Sequence, residues 1–182
     1  MTTRPGPDSQ NERDILDFDA LLAATHNDPA RSLAVMATAM IPRYERMVAG
    51  IDAYCRSVSK ELGGPAAKAR LQELRSDLLQ SKTHVAFVSR LIALSTDVSL
   101  PDAVRSAAAR TAELAATIAS ARMSVLDLEL EVLKHGTGSE RGRTALGQLE
   151  TAATAPKKAL LDLKRLATND QRRGWLSFFR RK

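Results

Sequence analysis

Apolar residues recur along the chain with alternating steps of three and four, the spacing of one face of an α-helix. The longest run lies between Val104 and Val132. Positions 104, 111, 118, 125 and 132 are Val, Thr, Ile, Val and Val, and positions 107, 114, 121 and 128 are Ala, Leu, Ala and Leu. No glycine or proline interrupts it. Ser99 is placed to cap this helix, with Pro101 in its first turn, and His135-Gly136 is placed to end it. The pattern predicts a helix of about 35 residues, roughly 50 Å long. Such a helix is stable in water only when its apolar stripe is covered by other long helices.

The same alternation predicts the companions. Residues 14–25 read as a short helix on Ile15, Phe18, Leu21 and Leu22, preceded by residues 1–11, whose polar composition suits disorder. Asn27-Asp28-Pro29 reads as a helix start. A stripe follows on Leu33, Met36, Met40, Tyr44, Met47, Ile51, Tyr54 and Val58, with a bend expected at Pro42. Gly63-Gly64-Pro65 reads as a tight turn. The next seam takes Ala67, Leu71, Leu74, Leu78, Ser81, Val85, Val88, Ile92 and Ser95. Leu79, Phe87, Leu91 and Leu94 widen its apolar arc, which suggests two neighbours there. Thr137 and Glu140 have the spacing of a capping box. A last stripe uses Leu146, Leu149, Ala153, Leu160, Leu163 and Ala167, with Pro156 forcing a bend, or a break with Thr154 as a new cap, and a weak point at Thr168-Asn169-Asp170.

Short connections between long helices favour antiparallel neighbours. The expected fold is therefore all-α: an elongated antiparallel four-helix bundle with a short N-terminal helix and an amphipathic C-terminal tail. The expected layout is a disordered N-terminus over 1–11, a bundle domain over 12–170 and a basic aromatic tail over 171–182. Two alternatives share the same periodicity. A three-helix bundle would leave the fourth helix for a partner, and a dimer would pair long helices across a two-fold axis.

Composition supports an elongated bundle more than a compact α/β enzyme, because the apolar residues are mostly Ala and Leu and only 4% of the chain is aromatic. Charge is uneven. Of the net +6, residues 157–182 carry +7, from nine Lys or Arg and two Asp, so the rest of the chain sums to −1. Positive charge is a property of one end, whereas a nucleic-acid binder more often spreads it over a face of the fold. The one cysteine, Cys55, lies in an apolar pattern and reads as a buried structural thiol, in keeping with a reducing compartment. No signal-peptide core and no apolar run of transmembrane length is present, which points to a cytoplasmic protein with at most peripheral contact on the inner face of a membrane.

The C-terminal end is the candidate functional segment. Arg172, Arg173, Trp175, Leu176, Phe178, Phe179, Arg180, Arg181 and Lys182 fall within eleven residues. At helical spacing Trp175, Leu176, Phe178 and Phe179 share an arc of about 160°, with Arg173, Ser177, Arg180 and Arg181 across from it. Aromatic rings enter the headgroup region and arginines meet anionic phosphates. The segment resembles the short C-terminal membrane-targeting helices of bacterial cell-division and positioning proteins. That resemblance covers these eleven residues only and implies peripheral membrane attachment. The other readings are that the aromatic residues cap one end of the bundle, bind a protein, or stack on single-stranded bases while Lys157, Lys158, Lys164, Arg165 and the arginines contact phosphates.

Catalytic motifs are missing. There is no phosphate-binding loop, dinucleotide fingerprint, nucleophile elbow or HExxH pattern. His26, His84 and His135 are far apart. His84 flanks a seam and reads as a satisfied structural residue, and Glu131 with His135 is too small a set for a metal. Asp127, Glu129 and Glu131 read as a solvated face, or as an attractor for the basic tail of another copy. The expectation is a non-enzymatic scaffold or adaptor without cofactor or metal. Its expected partners are a second copy in a homodimer, an anionic lipid surface and a protein partner. Nucleic acid is the runner-up.

Overall fold

The computed structural model describes residues 18–23, 25, 28–60, 69 and 81–179. The described residues form helices and connecting turns, with no strand among them. In chain order the helices are α1 (Phe18–Ala23), α2 (Pro29–Lys60), α3 (Ser81–Thr96), α4 (Asp102–His135), α5 (Glu140–Thr151) and α6 (Thr154–Phe179). Helices α2, α3, α4 and α6 make the principal packed layers. α4 touches α2, α3, α5 and α6, and α2 lies along α6. Residues 1–11, the Gly63-Gly64-Pro65 turn and residues 180–182 lie outside the described residues, as does most of the helix expected before Ser81.

The start of α2 follows from Asp28. Its Oδ1 accepts hydrogen bonds from the backbone N–H groups of Ala30 at 3.0 Å and Arg31 at 3.1 Å, satisfying donors that a helix start leaves open. The helix then runs to Lys60 with Pro42 inside it. All eight residues of its predicted stripe are buried, and Met36, Ile51 and Tyr54 are fully so. Each such side chain contributes roughly 1.5–3 kcal/mol through burial.

α4 occupies the predicted span, but its start differs from expectation. Pro101 is the residue before the helix, and no side chain caps it. Ser99 instead gives both its backbone N–H and its hydroxyl to the Asp97 carboxylate, at 2.9 and 2.6 Å. Those bonds hold the Asp97 carboxyl below its usual range. The two groups turn the loop together, so neither is left to cap. At the other end Gly136 has φ of 71° and its N–H bonds the carbonyl of Val132, a conformation that suits glycine.

Ser139, not Thr137, caps α5, and its hydroxyl accepts from the N–H of Gly142 at 2.9 Å. Here glycine is required by space. A Cβ on Gly142 would stand 1.8 Å from the Gly136 carbonyl oxygen. The last stripe is broken rather than bent: α5 ends at Thr151, α6 begins at Thr154, and buried Ala153 keeps the apolar face continuous across the break. Pro156 lacks an N–H, which costs nothing in the first turn of a new helix. The weak point expected at Thr168-Asn169-Asp170 is not one, since α6 continues to Phe179.

Two seams need correction. On α3 the buried apolar residues are Phe87 and Leu91, both at 0% exposure, while the predicted seam residues Val85 and Ile92 are 60% and 52% exposed. The helix is rotated so that its largest side chain, Phe87, enters the core. On α4 the buried arc is wider than the predicted stripe and takes in Ala108, Ala115, Arg122 and Glu129. Glu129 is therefore not part of a solvated acidic face, although its neighbours Asp127 and Glu131 are exposed.

Candidate functional site

Two places concentrate polar or aromatic chemistry: a buried cluster inside the bundle and the C-terminal segment of α6.

The buried cluster is built on an aromatic chain. Phe18 of α1 stacks on Phe87 of α3 at 5.9 Å between ring centroids, and Phe87 tilts against Tyr44 of α2 at 6.3 Å. Tyr44 meets His84 edge-on, and its hydroxyl lies 2.8 Å from His84 Nδ1. Burial pushes the Tyr44 phenol far above its ordinary pKa, so the phenol keeps its proton. The bond runs from the phenol O–H to Nδ1 when His84 carries its proton on Nε2, and from Nδ1–H to the phenol oxygen in the other tautomer. Burial, and secondarily the positive charge of Arg122, lowers the His84 pKa and favours the neutral ring. The expected structural role of His84 thus has a partner, Tyr44, from an element forty residues away.

Arg122 and Glu129 lie about two helical turns apart on one face of α4 and are 8% and 5% exposed. Arg122 Nε and Glu129 Oε2 have no hydrogen-bond partner among the described residues. Sequence reasoning missed both. Their positions fall just outside the apolar seam, and alanines at the equivalent earlier positions, Ala108 and Ala115, gave the one available hint.

Cys55 is 4% exposed, as a structural thiol should be. Burial raises its pKa, with the Asp52 carboxylate adding to the effect. Glu131 and His135 form a pair at 3.3 Å on the α4 surface. An open cleft of about 510 Å³ between α4 and α5 has Glu131, Glu140 and Arg141 on its rim. Among the described residues, no three His, Cys, Asp or Glu side chains gather as a metal site.

The C-terminal segment stands on the backbone of α6. The first part of that helix is held in the bundle by buried Ala159, Leu160, Leu163 and Ala167. Ion pairs fasten it to α2, Lys157 to Asp52 and Lys164 to Glu45. The helix then carries Arg172, Arg173, Trp175, Leu176, Phe178 and Phe179 within one continuous element, while Arg180, Arg181 and Lys182 lie outside the described residues. No helix among the described residues is long and apolar enough to cross a membrane.

No protein-family profile, curated protein or solved structure matches the chain.

Proposed function

We propose that the chain is a non-enzymatic helical scaffold or adaptor that self-associates and contacts anionic membrane surfaces through its C-terminal tail. One observation carries this reading. The basic aromatic segment is the end of α6, the helix whose first half is locked into the core. A tail joined in this way transmits the position of a lipid surface to the bundle without a flexible linker. At helical spacing its four large apolar residues share one arc and its arginines flank it, the division of an interfacial helix.

The bundle behind the tail is best read as antiparallel, up-down-up-down. Support comes from the two ion pairs between α2 and α6, which join 52 to 157 and 45 to 164, in opposite order along the two helices. The domain extends over about residues 12–170, with the tail over 171–182. A tail of this length binds lipid weakly alone, and two tails on one dimer raise the avidity. Such a protein works on the cytoplasmic side, where anionic lipids concentrate positive segments.

The test is competition. Full-length protein is mixed with anionic vesicles, with zwitterionic vesicles, and with a single-stranded oligonucleotide titrated at several salt concentrations. Partitioning onto anionic vesicles alone, weakened by salt, supports the reading. Tight oligonucleotide binding with no vesicle partitioning replaces it with a nucleic-acid role for the same arginines.

A further inference from the structure

α4 carries two apolar stripes, and among the described residues the bundle buries one of them and touches only the edge of the other, at Ala112 and Leu126. The inner stripe contains Thr111, Leu114, Ile118, Val125 and Val132, all buried. The second lies about 120° around the helix. It begins with Ala109, Ala112, Ala116 and Ala119 and continues with Met123, Leu126, Leu130 and Leu133. The steps alternate three and four without a break, and no position is polar. Met123, Leu130 and Leu133 are 50%, 55% and 59% exposed. Ala109 and Ala116 are also exposed, and Ala112, Ala119 and Leu126 are half-buried on the bundle edge. Next around the helix come Glu113, Ser120, Asp127 and Lys134, a polar border that makes the stripe a seam rather than a diffuse surface.

We propose that this outer face of α4 is the self-association surface, and that its occupant is the same face of a second copy, antiparallel about a two-fold axis near residue 121. The proposal rests on the self-association proposed above and gives it a place. Side-chain size argues for the second copy. The four small residues fill one half of the seam and the four large residues the other. Antiparallel pairing sets 109 against 133, 112 against 130, 116 against 126 and 119 against 123, so every alanine meets a Met or Leu. Parallel pairing would set alanine on alanine at one end and leucine on leucine at the other, splaying the helices. The pairing is isologous and closes at two copies. The seam is about 36 Å long at 1.5 Å per residue and about one helix wide, so pairing buries on the order of 1,000 Å² in all. That meets the lower limit for a specific interface and describes a weak, concentration-dependent dimer.

The experiment measures solution mass against concentration, by sedimentation equilibrium without lipid, on the full chain. The wild type rises from the monomer mass of 19.8 kDa toward twice that value. Leu130→Glu and Ala112→Arg each weaken dimerisation at least about tenfold. An equimolar mixture of the two variants regains a dimer, because the introduced glutamate of one copy faces the introduced arginine of the other. A wild type that stays monomeric at every concentration overturns the proposal. So does a dimer that survives either single variant, or a mixture that regains nothing. Leu130 lies at the surface and Ala112 on the bundle edge, and circular dichroism checks that the variants fold. If a charged variant fails that check, Leu130→Gln and Met123→Gln carry the test of the dimer. Removing the tail leaves this mass curve unchanged, so failure of the surface and failure of the membrane reading give different results.

Discussion

The hydroxyl of Tyr44 lies 2.8 Å from Nδ1 of His84, and this bond joins α2 to α3 inside the core. The two helices touch little elsewhere among the described residues, so the pair is a main polar fastening between them. Arg122 of α4 is the charged group that acts on the imidazole from the facing helix.

This arrangement sets a pH dependence. The folded-state pKa of His84 lies below its ordinary value of 6.5. Above about pH 6.5 the ring is neutral in both folded and unfolded chains, and its contribution is fully present. As pH falls below that value, the unfolded chain takes up a proton that the folded chain refuses, and stability is lost. His84→Gln keeps a hydrogen-bonding group for Tyr44 but cannot titrate. Urea midpoints compared at about pH 7.5 and about pH 5 should fall less in the variant than in the wild type. Parallel losses would remove His84 from the account.

Two glycines eight ångströms of helix apart at most, Gly142 and Gly147, should respond with opposite signs. Alanine at 142 collides with the Gly136 carbonyl, a backbone atom that moves only if the α4–α5 turn rearranges. Gly142→Ala should therefore destabilise the fold by about 1–3 kcal/mol. Gly147 lies within α5 with nothing near its missing Cβ, so Gly147→Ala should stabilise by about 0.5–1 kcal/mol. Thermal unfolding of the two variants checks both signs.

The rotation of α3 is open to a similar comparison. Phe87 is fully buried and touches the rings of Phe18 and Tyr44, whereas Val85 is 60% exposed. Phe87→Ala should cost about 3–5 kcal/mol and Val85→Ala less than about 0.5 kcal/mol. Equal costs would return Val85 to the seam, where periodicity alone puts it.

Much of the fold was legible because helix periodicity is a dense signal. The α2 stripe from Leu33 to Val58 was read residue for residue, and the limits of α4 follow from Pro101 and Gly136. The rotation of α3 was not legible. Val85, Phe87, Val88 and Leu91 make an apolar arc so wide that spacing does not say which part faces inward. Caps were also misread: Ser99 has the right chemistry but is bonded to Asp97, which leaves α4 without a side-chain cap, and Ser139 rather than Thr137 caps α5. Arg122 and Glu129 escaped because burial of a charge depends on what packs over it, which one helix's pattern does not contain. The basic and aromatic composition of residues 172–182 is plain in the sequence. The continuity of that segment's backbone with the core-anchored part of α6 was not legible, because Thr168-Asn169-Asp170 looks like a helix end.

The central claim is that residues 172–182 carry the membrane contact while the bundle stands without them. Cosedimentation with anionic vesicles tests it most directly, comparing the full chain with a chain ending at Gln171. The full chain should pellet with the vesicles and the shortened chain should stay in the supernatant, with its helical circular dichroism retained. Equal pelleting of the two would contradict the account.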